Sequence, residues 1–491
     1  MKTSVLRPLW SQASETLRHS WEGVINVDQF RWFVRGDMQD QLRQAHRELG
    51  ARHVRAVGML DDEMRVLTKD PGVWPKQALH SQPNWQIDTM IIERLLEIGI
   101  HPMITTCFMP GVMAAGERTV FQTKGRISLP KDMGEWRGLV RHLTRHLVDY
   151  FGLETVRQSY FEVWNEPNLQ NGFFEGTQED FFNLYLNTVT AIKEVDASLK
   201  VGGPSTARAE WIPEFMEFCR KHSIEPEYLI GHIYNNDSDS KPLSPFDGPQ
   251  EDLVSKSPHF ASGVIRGTRK FLDSLGYKGE VHWNEWGRSW FPCEPIRETS
   301  NEAAFIVKTM AEVSQQADYF AYWCVSDIYD QVGYGRSAFH GNYGLMNLQG
   351  LRKPSYQAFQ LLARLGTERV KVQGEGLDAL HDGLATKSAR SAEVLVYSYD
   401  PSEKPEQELR EIRVLLPEGA RQPRLTRITE TENNILHHWR EAGSPDYLRP
   451  DLLKELREVN SLKGATDFKV ENGEICFSLQ APGVALVQVD F

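Results

Sequence analysis

The sequence predicts an α/β protein in which a (β/α)8 TIM barrel is followed by a C-terminal β-sandwich. Between residues 50 and 325, short apolar runs alternate with amphipathic helical stretches, which is the pattern of parallel strands joined by crossover helices. An apolar run near residues 21–27 brings the number of strands to eight, the number that closes a barrel. After about residue 345 the segments become short, β-rich and separated by Gly, Pro and Asp turns, which predicts a sandwich.

The barrel strands are predicted from apolar runs of strand length, and three connecting helices alternate with them, the first of which shows a helical apolar period. The strands are expected at residues 21–27, 52–60, 101–108, 160–164, 199–203, 227–234, 279–286 and 318–325, and the helices at 88–98, 135–151 and 177–195. A doubly wound open sheet is the competing arrangement. It would favour a G-x-G-x-x-G turn after the first strand, and the sequence has none.

The C-terminal part is expected to build its sandwich from the segments EVLVYSY, ELREIRVLL, EICFSL and VALVQVDF. One helical stretch at 449–459 interrupts these strands, and SVLRPLW near the N-terminus adds a further strand. We therefore divide the chain into a sandwich strand within residues 1–15, a barrel over 16–345 and a β-sandwich over 346–491. The sandwich carries a short helical insertion near 447–460.

The composition argues against several classes of partner. A net charge of −12 opposes binding to nucleic acid, whose phosphates would be repelled. The sequence has neither a Lys/Arg block for an anionic membrane surface nor the ~18 consecutive apolar residues of a membrane span. The N-terminal segment lacks the apolar run of a signal peptide, and the five dispersed cysteines form no C-x-x-C pair. A cytoplasmic protein without zinc knuckles or disulfides is expected.

Two glutamates lie where a barrel of this kind places its chemistry, at the carboxyl ends of strands. Glu166 follows the fourth strand in YFEVWNEPN, and Glu285 ends the seventh strand in VHWNEW, so both face one mouth. Cleavage of a glycosidic bond needs one carboxylic acid to protonate the leaving oxygen and one carboxylate to attack or stabilise the anomeric carbon. Asn165 offers an amide to the sugar 2-hydroxyl, a hydrogen bond that strengthens in the transition state.

Each of these motifs also has a purely structural interpretation. Asn-Glu-Pro can be a helix entry, with Asn as the cap and Pro in the first turn, and a lone Glu after a strand is usually a solvated loop residue. The two motifs together, at strands four and seven of one barrel, favour a catalytic pair whose environments separate their pKa values.

Longer segments spread over nearly the whole chain carry a resemblance to a known family. They are QLRQAHRELGARHVRAVGMLDDEM, CFMPG, YFGLETVRQSYFEVWNEPNL, LKVGGPSTA, WIPEFMEFCRKH, EYLIGHIY, NEAAFIVKTM, YWCVSDIYDQ, FHGNYGLMNLQGLRKPSYQAFQLLARLG and NNILHHWREAGSP. These segments resemble glycoside hydrolase family 39, the family of β-xylosidases and α-L-iduronidases, and most of all its bacterial β-xylosidase branch. The resemblance implies the family's barrel, a β-sandwich built from both termini and a small helical element.

The resemblance implies that Glu166 is the general acid/base and Glu285 the nucleophile. It also implies that the subsite for the non-reducing sugar is lined by Asn165, His232, Tyr234 and Trp323. The sequence pattern agrees, because His232 and Tyr234 alternate in GHIY and so share one side of strand six. His232 can equally be a satisfied core histidine, and Trp323 would give the sugar a flat apolar wall.

The remaining members of the expected sugar-binding set are Arg55, Phe108, Trp290, Asp330 and Gln331, and Arg55 on strand two is expected to brace the nucleophile. Several of these positions depart from the family pattern. Val57 stands where the xylosidases usually have His, and Asp330-Gln331 where they have two consecutive glutamates. Trp290 corresponds best to an aromatic that is usually Tyr. The expected catalytic pair is intact, but the pocket that selects the sugar is changed.

The sequence therefore predicts a retaining exo-glycoside hydrolase, similar to the β-xylosidases, that releases a non-reducing terminal sugar by double displacement. Because the sugar pocket is changed, the alternative is a family exo-glycosidase for another pentopyranoside, a deoxy sugar, a hexoside or a uronide. A non-catalytic carbohydrate-binding barrel is disfavoured because both glutamates are present.

The expected partner is an oligosaccharide or a small glycoside, with neither nucleic acid nor membrane. No cofactor is expected, because protons and a covalent sugar ester suffice for the chemistry. No metal is expected either, since H-E-x-x-H is absent and the 15 histidines show no ligand spacing. A homo-oligomer remains open because the family xylosidases are often multimers.

Overall fold

The computed structural model describes residues 2–67, 82–239, 246–253, 257–331 and 333–491. Eight parallel strands form one sheet in which neighbours in the chain are neighbours in space. These barrel strands, numbered one to eight in chain order, are Val24–Gln29, His53–Val57, His101–Thr105, Tyr160–Glu162, Lys200–Thr206, Tyr228–Tyr234, Glu280–Gly287 and Tyr319–Tyr322. All eight strands expected from the sequence are confirmed, several of them shorter than predicted.

A main helix follows each strand and covers the outside of the barrel. These helices are Gly36–Leu49, Gln86–Ile98, Met133–Phe151, Gln178–Lys193, Ile212–Lys221, Phe260–Ser274, Ser300–Val313 and Pro354–Leu362. Their ends follow local sequence chemistry. Thr177 and Asp180 form a capping box at the start of the fourth helix, and Gly50 and Gly99 end the first two helices in the left-handed conformation. The short helix Leu153–Val156 and a small hairpin, Thr119–Val120 with Gly125–Arg126, decorate the connections.

Hydrogen bonds join strand one to the eighth strand, which curls the sheet into a barrel. The backbone amide of Val325 donates to the carbonyl of Asn26 over 2.9 Å. The buried Asn26 side chain also donates to the carbonyls of Ala321 at 3.0 Å and Asn284 at 2.7 Å. An open doubly wound sheet would leave these two edges far apart, so the barrel prediction is confirmed.

The β-sandwich consists of two antiparallel-rich sheets that face each other. The strands of the first sheet are, in spatial order, Val372–Glu375, Lys2–Pro8, Glu408–Leu415, Glu474–Ala481 and Lys469–Glu471. The strands of the second sheet are, in spatial order, Arg421–Ile428, Gly483–Asp490, Ser391–Ser398, His381–Lys387, Glu368–Val370 and Glu15–Thr16. Alternate side chains of Glu474–Ala481 are buried, as expected for a strand with one face on a core. The N-terminal strand Lys2–Pro8 lies inside the first sheet, as the sequence predicts. The domain boundaries at residues 15 and 345 remain predictions.

The helical insertion contains two helices, whereas the sequence predicts one. Pro450–Val459 matches the predicted stretch, and Ile435–Glu441 precedes it, capped by Asn434, whose side chain accepts from the amide of Leu436. The earlier helix is only 7 residues long, too short to show a helical period. Both helices bury apolar side chains against Phe339 and Leu351.

No helix within the described ranges is long and apolar enough to cross a membrane.

Candidate active site

A pocket of about 340 Å³ opens at the carboxyl ends of the barrel strands. This is the face on which barrel enzymes carry out their chemistry. Its described lining consists of Val57, Phe121, Asn165, Glu166, Leu169, Phe173, Ala207, Arg208, Tyr234, Asp237, Glu285, Trp290, Trp323, Tyr329, Gln331 and Tyr343. The pocket therefore combines three carboxyl groups and one guanidinium with an extensive aromatic wall.

Glu166 reaches the pocket through an unusual backbone path after strand four. Trp164 and Glu166 both adopt the left-handed conformation, with φ of 66° and 46°. The amide of Glu166 donates to the carbonyl of Ser205 over 2.8 Å, which ties the turn to the end of strand five. Left-handed conformations are costly for residues other than glycine and persist where the surrounding structure enforces them, often at functional sites.

A fully buried arginine lies below the pocket and connects three side chains. Arg55 on strand two donates from Nε to Glu162 at 2.7 Å, from Nη1 to Glu285 at 3.1 Å and from Nη2 to the Asn165 Oδ1 at 2.6 Å. Glu162 also accepts from the Asn284 amide at 3.1 Å. Arg55 thus holds the Asn165 side chain by its carbonyl oxygen, and Asn165 is also part of the pocket lining.

The two glutamates face each other across a short gap with His232 beside them. One oxygen of Glu166, one of Glu285 and a ring nitrogen of His232 all lie within 4.8 Å of one another. The carboxyl groups of retaining glycosidases are about 5–5.5 Å apart, whereas inverting enzymes separate them by about 6.5–9.5 Å to admit a water. The proximity of the two carboxyl groups fits the retaining geometry.

The hydrogen-bond partners distinguish the two glutamates. Glu285 accepts from Arg55 and, at 2.7 Å, from the hydroxyl of Tyr234, whereas Glu166 has only His232 within hydrogen-bonding distance of its side chain among the described residues. Burial raises the pKa of Glu166 to about 7, although Arg55 and Arg208 oppose the shift. Burial also raises the pKa of Glu285, against the contacts with His232, Arg55 and Tyr234. Donors stabilise an ionised carboxylate, and Glu285 accepts from more of them than Glu166 does.

His232 lies beneath the two glutamates and has no exposed surface. Its Nδ1 is 3.1 Å from Glu166 Oε1 and 3.5 Å from Glu285 Oε2. Burial lowers the pKa of His232 to about 4, so the ring is neutral near pH 7. The structure thus places His232 beside the two carboxyl groups rather than on the described pocket wall.

Three other members of the predicted sugar-binding set also lie outside the described pocket wall, and their roles stay predictions. Arg55 is buried below the wall, as described above. Phe108 is fully buried, with its ring edge-on to Trp164 at 5.7 Å between centroids. Asp330 turns away to Arg31, whose Nη2 donates to it over 2.6 Å. Attractive charges and apolar packing decided these orientations, and neither can be read from local sequence.

The structure places the other predicted sugar-binding residues on the wall, namely Asn165, Tyr234, Trp290, Trp323 and Gln331. Gln331 is already engaged there: its amide donates to Asp28 at 2.6 Å and its carbonyl oxygen accepts from the Tyr329 hydroxyl at 2.8 Å. Val57, the position that departs from the family's His, also lines the pocket.

Several wall residues were not predicted from the sequence, namely Phe121, Leu169, Phe173, Ala207, Arg208, Asp237, Tyr329 and Tyr343. All follow barrel strands, but on loops whose path the sequence does not define. Glu162 was missed as well, although a carboxylate within the apolar strand YFEVW is itself a signal, because a buried charge needs a partner.

A closed barrel whose carboxyl-end pocket holds two close glutamates with different partners defines a retaining glycoside hydrolase. Comparison with known proteins agrees. The model of the glycosyl hydrolases family 39 matches residues 9–473, and the chain belongs to that family.

Curated relatives and solved structures extend the similarity over nearly the whole chain. A β-xylosidase of Caldicellulosiruptor saccharolyticus is 35% identical over 461 residues, covering 93% of this chain and 92% of its own. A β-xylosidase of Geobacillus stearothermophilus is 27% identical over 446 residues, covering 89% and 85%. The crystal structure of a monomeric β-xylosidase from Caulobacter crescentus superposes with a TM-score of 0.82 at 27% identity, covering 100% of this chain and 99% of that one.

Proposed function

We propose that this retaining glycosidase removes a single non-reducing terminal pyranoside, with Glu166 as general acid/base and Glu285 as nucleophile. The observation that carries the proposal is the pair of close carboxyls with unequal partners. Arg55 and Tyr234 hold Glu285 charged, while Glu166 keeps its proton in a poorly solvated position. The β-xylosidase relatives support a β-xyloside-like substrate.

The proposed reaction has two displacements. In the first, an oxygen of Glu285 attacks the anomeric carbon while the proton of Glu166 passes to the leaving oxygen, giving a sugar ester on Glu285 and a free alcohol. In the second, ionised Glu166 removes a proton from water, whose oxygen attacks the same carbon and releases Glu285. Asn165 donates to the sugar 2-hydroxyl in both steps.

Aromatic side chains behind Glu285 support release of one terminal sugar. Tyr234, Trp323, Tyr329 and Tyr343 form one buried cluster beside Glu285. The Tyr343 hydroxyl donates to the carbonyl of Trp290, which joins the two sides of this wall. A substrate chain extending beyond the terminal sugar on this side would meet these rings.

The sugar is best identified with a panel of nitrophenyl glycosides compared by kcat/KM. We expect turnover of pyranosides with equatorial hydroxyls, including β-xyloside. If none of the glycosides in a broad panel is hydrolysed, the proposed function is wrong.

A second candidate, favoured by Val57 and Gln331, is a preference for another pentopyranoside, a deoxy sugar, a hexoside or a uronide. Val57 gives the pocket an apolar face, and Gln331 is bound to Asp28 and Tyr329 instead of offering a free carboxylate. A site that lacks a hydrogen-bond partner for one hydroxyl loses heavily in rate for sugars that carry it. A preference of tenfold or more for β-xyloside over the whole panel would contradict this candidate.

Restoring the residues that the family usually has at positions 57 and 331 tests the same pocket. Asp28 has to be replaced at the same time, because it contacts residue 331. In Val57→His/Gln331→Glu, the new carboxylate would face Asp28 at the 2.6 Å now spanned by the Gln331 amide, so the two would share one proton. In the triple variant with Asp28→Asn, the Asn amide can donate to Glu at 331 while its oxygen still accepts from Trp32. We expect kcat/KM for aryl β-xyloside, relative to the other sugars, to rise about tenfold in the triple variant and less in the double variant. Equal values for all three enzymes would show that these positions do not select the sugar.

The pH profile should report the proton on Glu166. Because the pKa of Glu166 is raised to about 7, kcat/KM for substrates with poor leaving groups should fall as the pH rises through about 7. The acid limb reflects protonation of Glu285. With the same poor leaving group, the residual kcat/KM of the Glu166→Ala variant should lose the alkaline limb and keep the acid limb. An unchanged alkaline limb in that variant would assign it to another group.

Glu166, His232 and Glu285 could also hold a metal ion, since each offers a ligand atom within 4.8 Å of the others. We favour acid/base chemistry because the Arg55 guanidinium, 3.1 Å from Glu285, already supplies the positive charge. The cytoplasmic location and the oligomeric state stay predictions, which cell fractionation and light scattering would test.

A further inference from the structure

The pocket contains one basic side chain among its described lining residues, Arg208. It lies in the loop after strand five, in the left-handed conformation with φ of 58°. Its side chain is 31% exposed, so it borders the cavity without being buried below it as Arg55 is. Neither the sequence pattern nor the proposed reaction gives this guanidinium a role.

A short network holds Arg208 on the pocket wall. Its Nε lies 3.0 Å from Glu210 Oε1, and Glu210 Oε2 accepts from the Asn168 side-chain amide at 3.0 Å. The same amide donates to the carbonyl of Ala207 at 2.9 Å. Among the described residues, no side-chain hydrogen bond uses the two terminal nitrogens of Arg208. The planar fork that suits a carboxylate is therefore left for a ligand.

This part of the wall lies on the side of Glu166. Asn168 connects the loop after strand four to the loop carrying Arg208, and the amide of Leu169 donates to the carbonyl of Glu166 at 3.1 Å. The charge of Arg208 is close enough to lower the pKa of Glu166 against the effect of burial. A general acid stands beside the leaving oxygen, so the leaving group, and not the terminal sugar, occupies this side.

Apolar side chains accompany the guanidinium. Leu169, Ala207, Phe121 and Phe173 line the pocket, and the two phenylalanine rings are 5.3 Å apart between centroids. Asp237 also lines the pocket, but its Oδ2 accepts from the Tyr234 amide at 2.9 Å, and burial raises the pKa of Asp237 to about 7. An aromatic ring with a carboxylate matches a wall of apolar side chains and one guanidinium.

We propose that Leu169, Phe173 and Arg208 form a leaving-group subsite for an aromatic carboxylic acid, such as a hydroxybenzoate linked through its phenolic oxygen to the sugar. The proposal rests on the proposed function and names the class of substrate for the same site. The ring packs on the apolar side chains while the terminal nitrogens of Arg208 bind the carboxylate. The enzyme would thus release phenolic acids from their glycosides.

The test uses two glycosides of the panel's preferred sugar, one with 4-carboxyphenyl and one with the uncharged 4-carbamoylphenyl leaving group. The ratio of their kcat/KM values is compared between the unaltered enzyme and Arg208→Met, because this comparison cancels their different leaving abilities. We expect the ratio of charged to uncharged substrate to fall about tenfold in Arg208→Met. Arg208→Lys should retain part of the ratio, since it keeps the charge and loses the fork.

Two controls keep this result separate from folding and from the proposed function. Arg141→Met removes an exposed arginine that pairs with Glu194 and lies on the barrel helix Met133–Phe151, and it should leave the ratio unchanged. Thermal unfolding confirms that Arg208→Met is folded, and its turnover of the carbamoylphenyl glycoside reports the proposed function independently. If the ratio is the same in the unaltered enzyme and in Arg208→Met, the proposed subsite is wrong. If the unaltered enzyme hydrolyses neither substrate, the proposed function is wrong instead.

Product inhibition distinguishes an aromatic acid from a sugar acid. 4-Hydroxybenzoate should inhibit the unaltered enzyme more strongly than glucuronate, and Arg208→Met should weaken the inhibition by 4-hydroxybenzoate. Stronger inhibition by glucuronate would overturn the aromatic assignment.

Discussion

Replacing Glu285 by glutamine is expected to reduce kcat on every glycoside, on the order of 10⁵-fold. The amide has nearly the shape of the carboxyl group and can still accept from Tyr234, but it is a poor nucleophile and cannot form the glycosyl ester. Good leaving groups should not restore turnover, because the lost step is ester formation itself, which needs the nucleophile whatever group departs. Steady-state rates on a dinitrophenyl and a nitrophenyl glycoside measure the loss.

Glu280→Gln is a matched control, since it makes the same change at the opposite end of strand seven. Glu280 pairs there with Lys200 at 2.8 Å, far along the strand from the pocket. We expect this variant to retain nearly full activity. The Glu285→Gln preparation must first be shown to contain no wild-type enzyme. If it then kept more than a few per cent of wild-type kcat, another group would have to be the nucleophile.

Deleting the acid with Glu166→Ala is expected to produce a loss that depends on the leaving group. General acid catalysis contributes about 10²- to 10⁴-fold, so natural glycosides with poor leaving groups should lose that amount in kcat/KM. Dinitrophenyl glycosides need little protonation to depart, and their first step should be nearly unaffected. The measurement is a plot of log kcat/KM against the pKa of the leaving phenol, which should be steeper for the variant.

Azide provides the control for this variant. A small anionic nucleophile can attack the sugar ester without general base help, so azide should accelerate Glu166→Ala on the dinitrophenyl glycoside and yield a β-glycosyl azide. The unaltered enzyme should not be accelerated. Equal losses on good and poor leaving groups would remove Glu166 from the acid/base role.

Much of the fold was predictable because its signals are local. The strands at Tyr228–Tyr234 and Glu280–Gly287 are apolar runs of strand length, and the helix Gln178–Lys193 has both a period and a capping box. The position of the two glutamates followed from the barrel itself, because strand ends converge on one mouth. The helix Ile435–Glu441 was missed because seven residues are too few to show a period.

The chemistry that sequence could not supply comes from long-range contacts. Asp28 and Gln331 are 303 residues apart, yet their hydrogen bond fixes which atoms the pocket presents. Asp330 pairs with Arg31, which lies at the other end of the barrel sequence. Arg208 follows a strand in a polar turn and has the sequence appearance of a solvated residue. Loop paths place these side chains, and local patterns do not define loop paths.

Trapping the sugar ester tests the central claim most directly. The reagent is a 2,4-dinitrophenyl 2-deoxy-2-fluoro glycoside of the panel's preferred sugar. Its fluorine slows both displacements, and its activated leaving group speeds only the first, so the sugar ester accumulates. After inactivation, the protein is digested and its peptides are sequenced by mass spectrometry. We predict one fluoro-sugar per chain, attached to Glu285. Attachment to any other residue would contradict the assignment of Glu285 as the nucleophile.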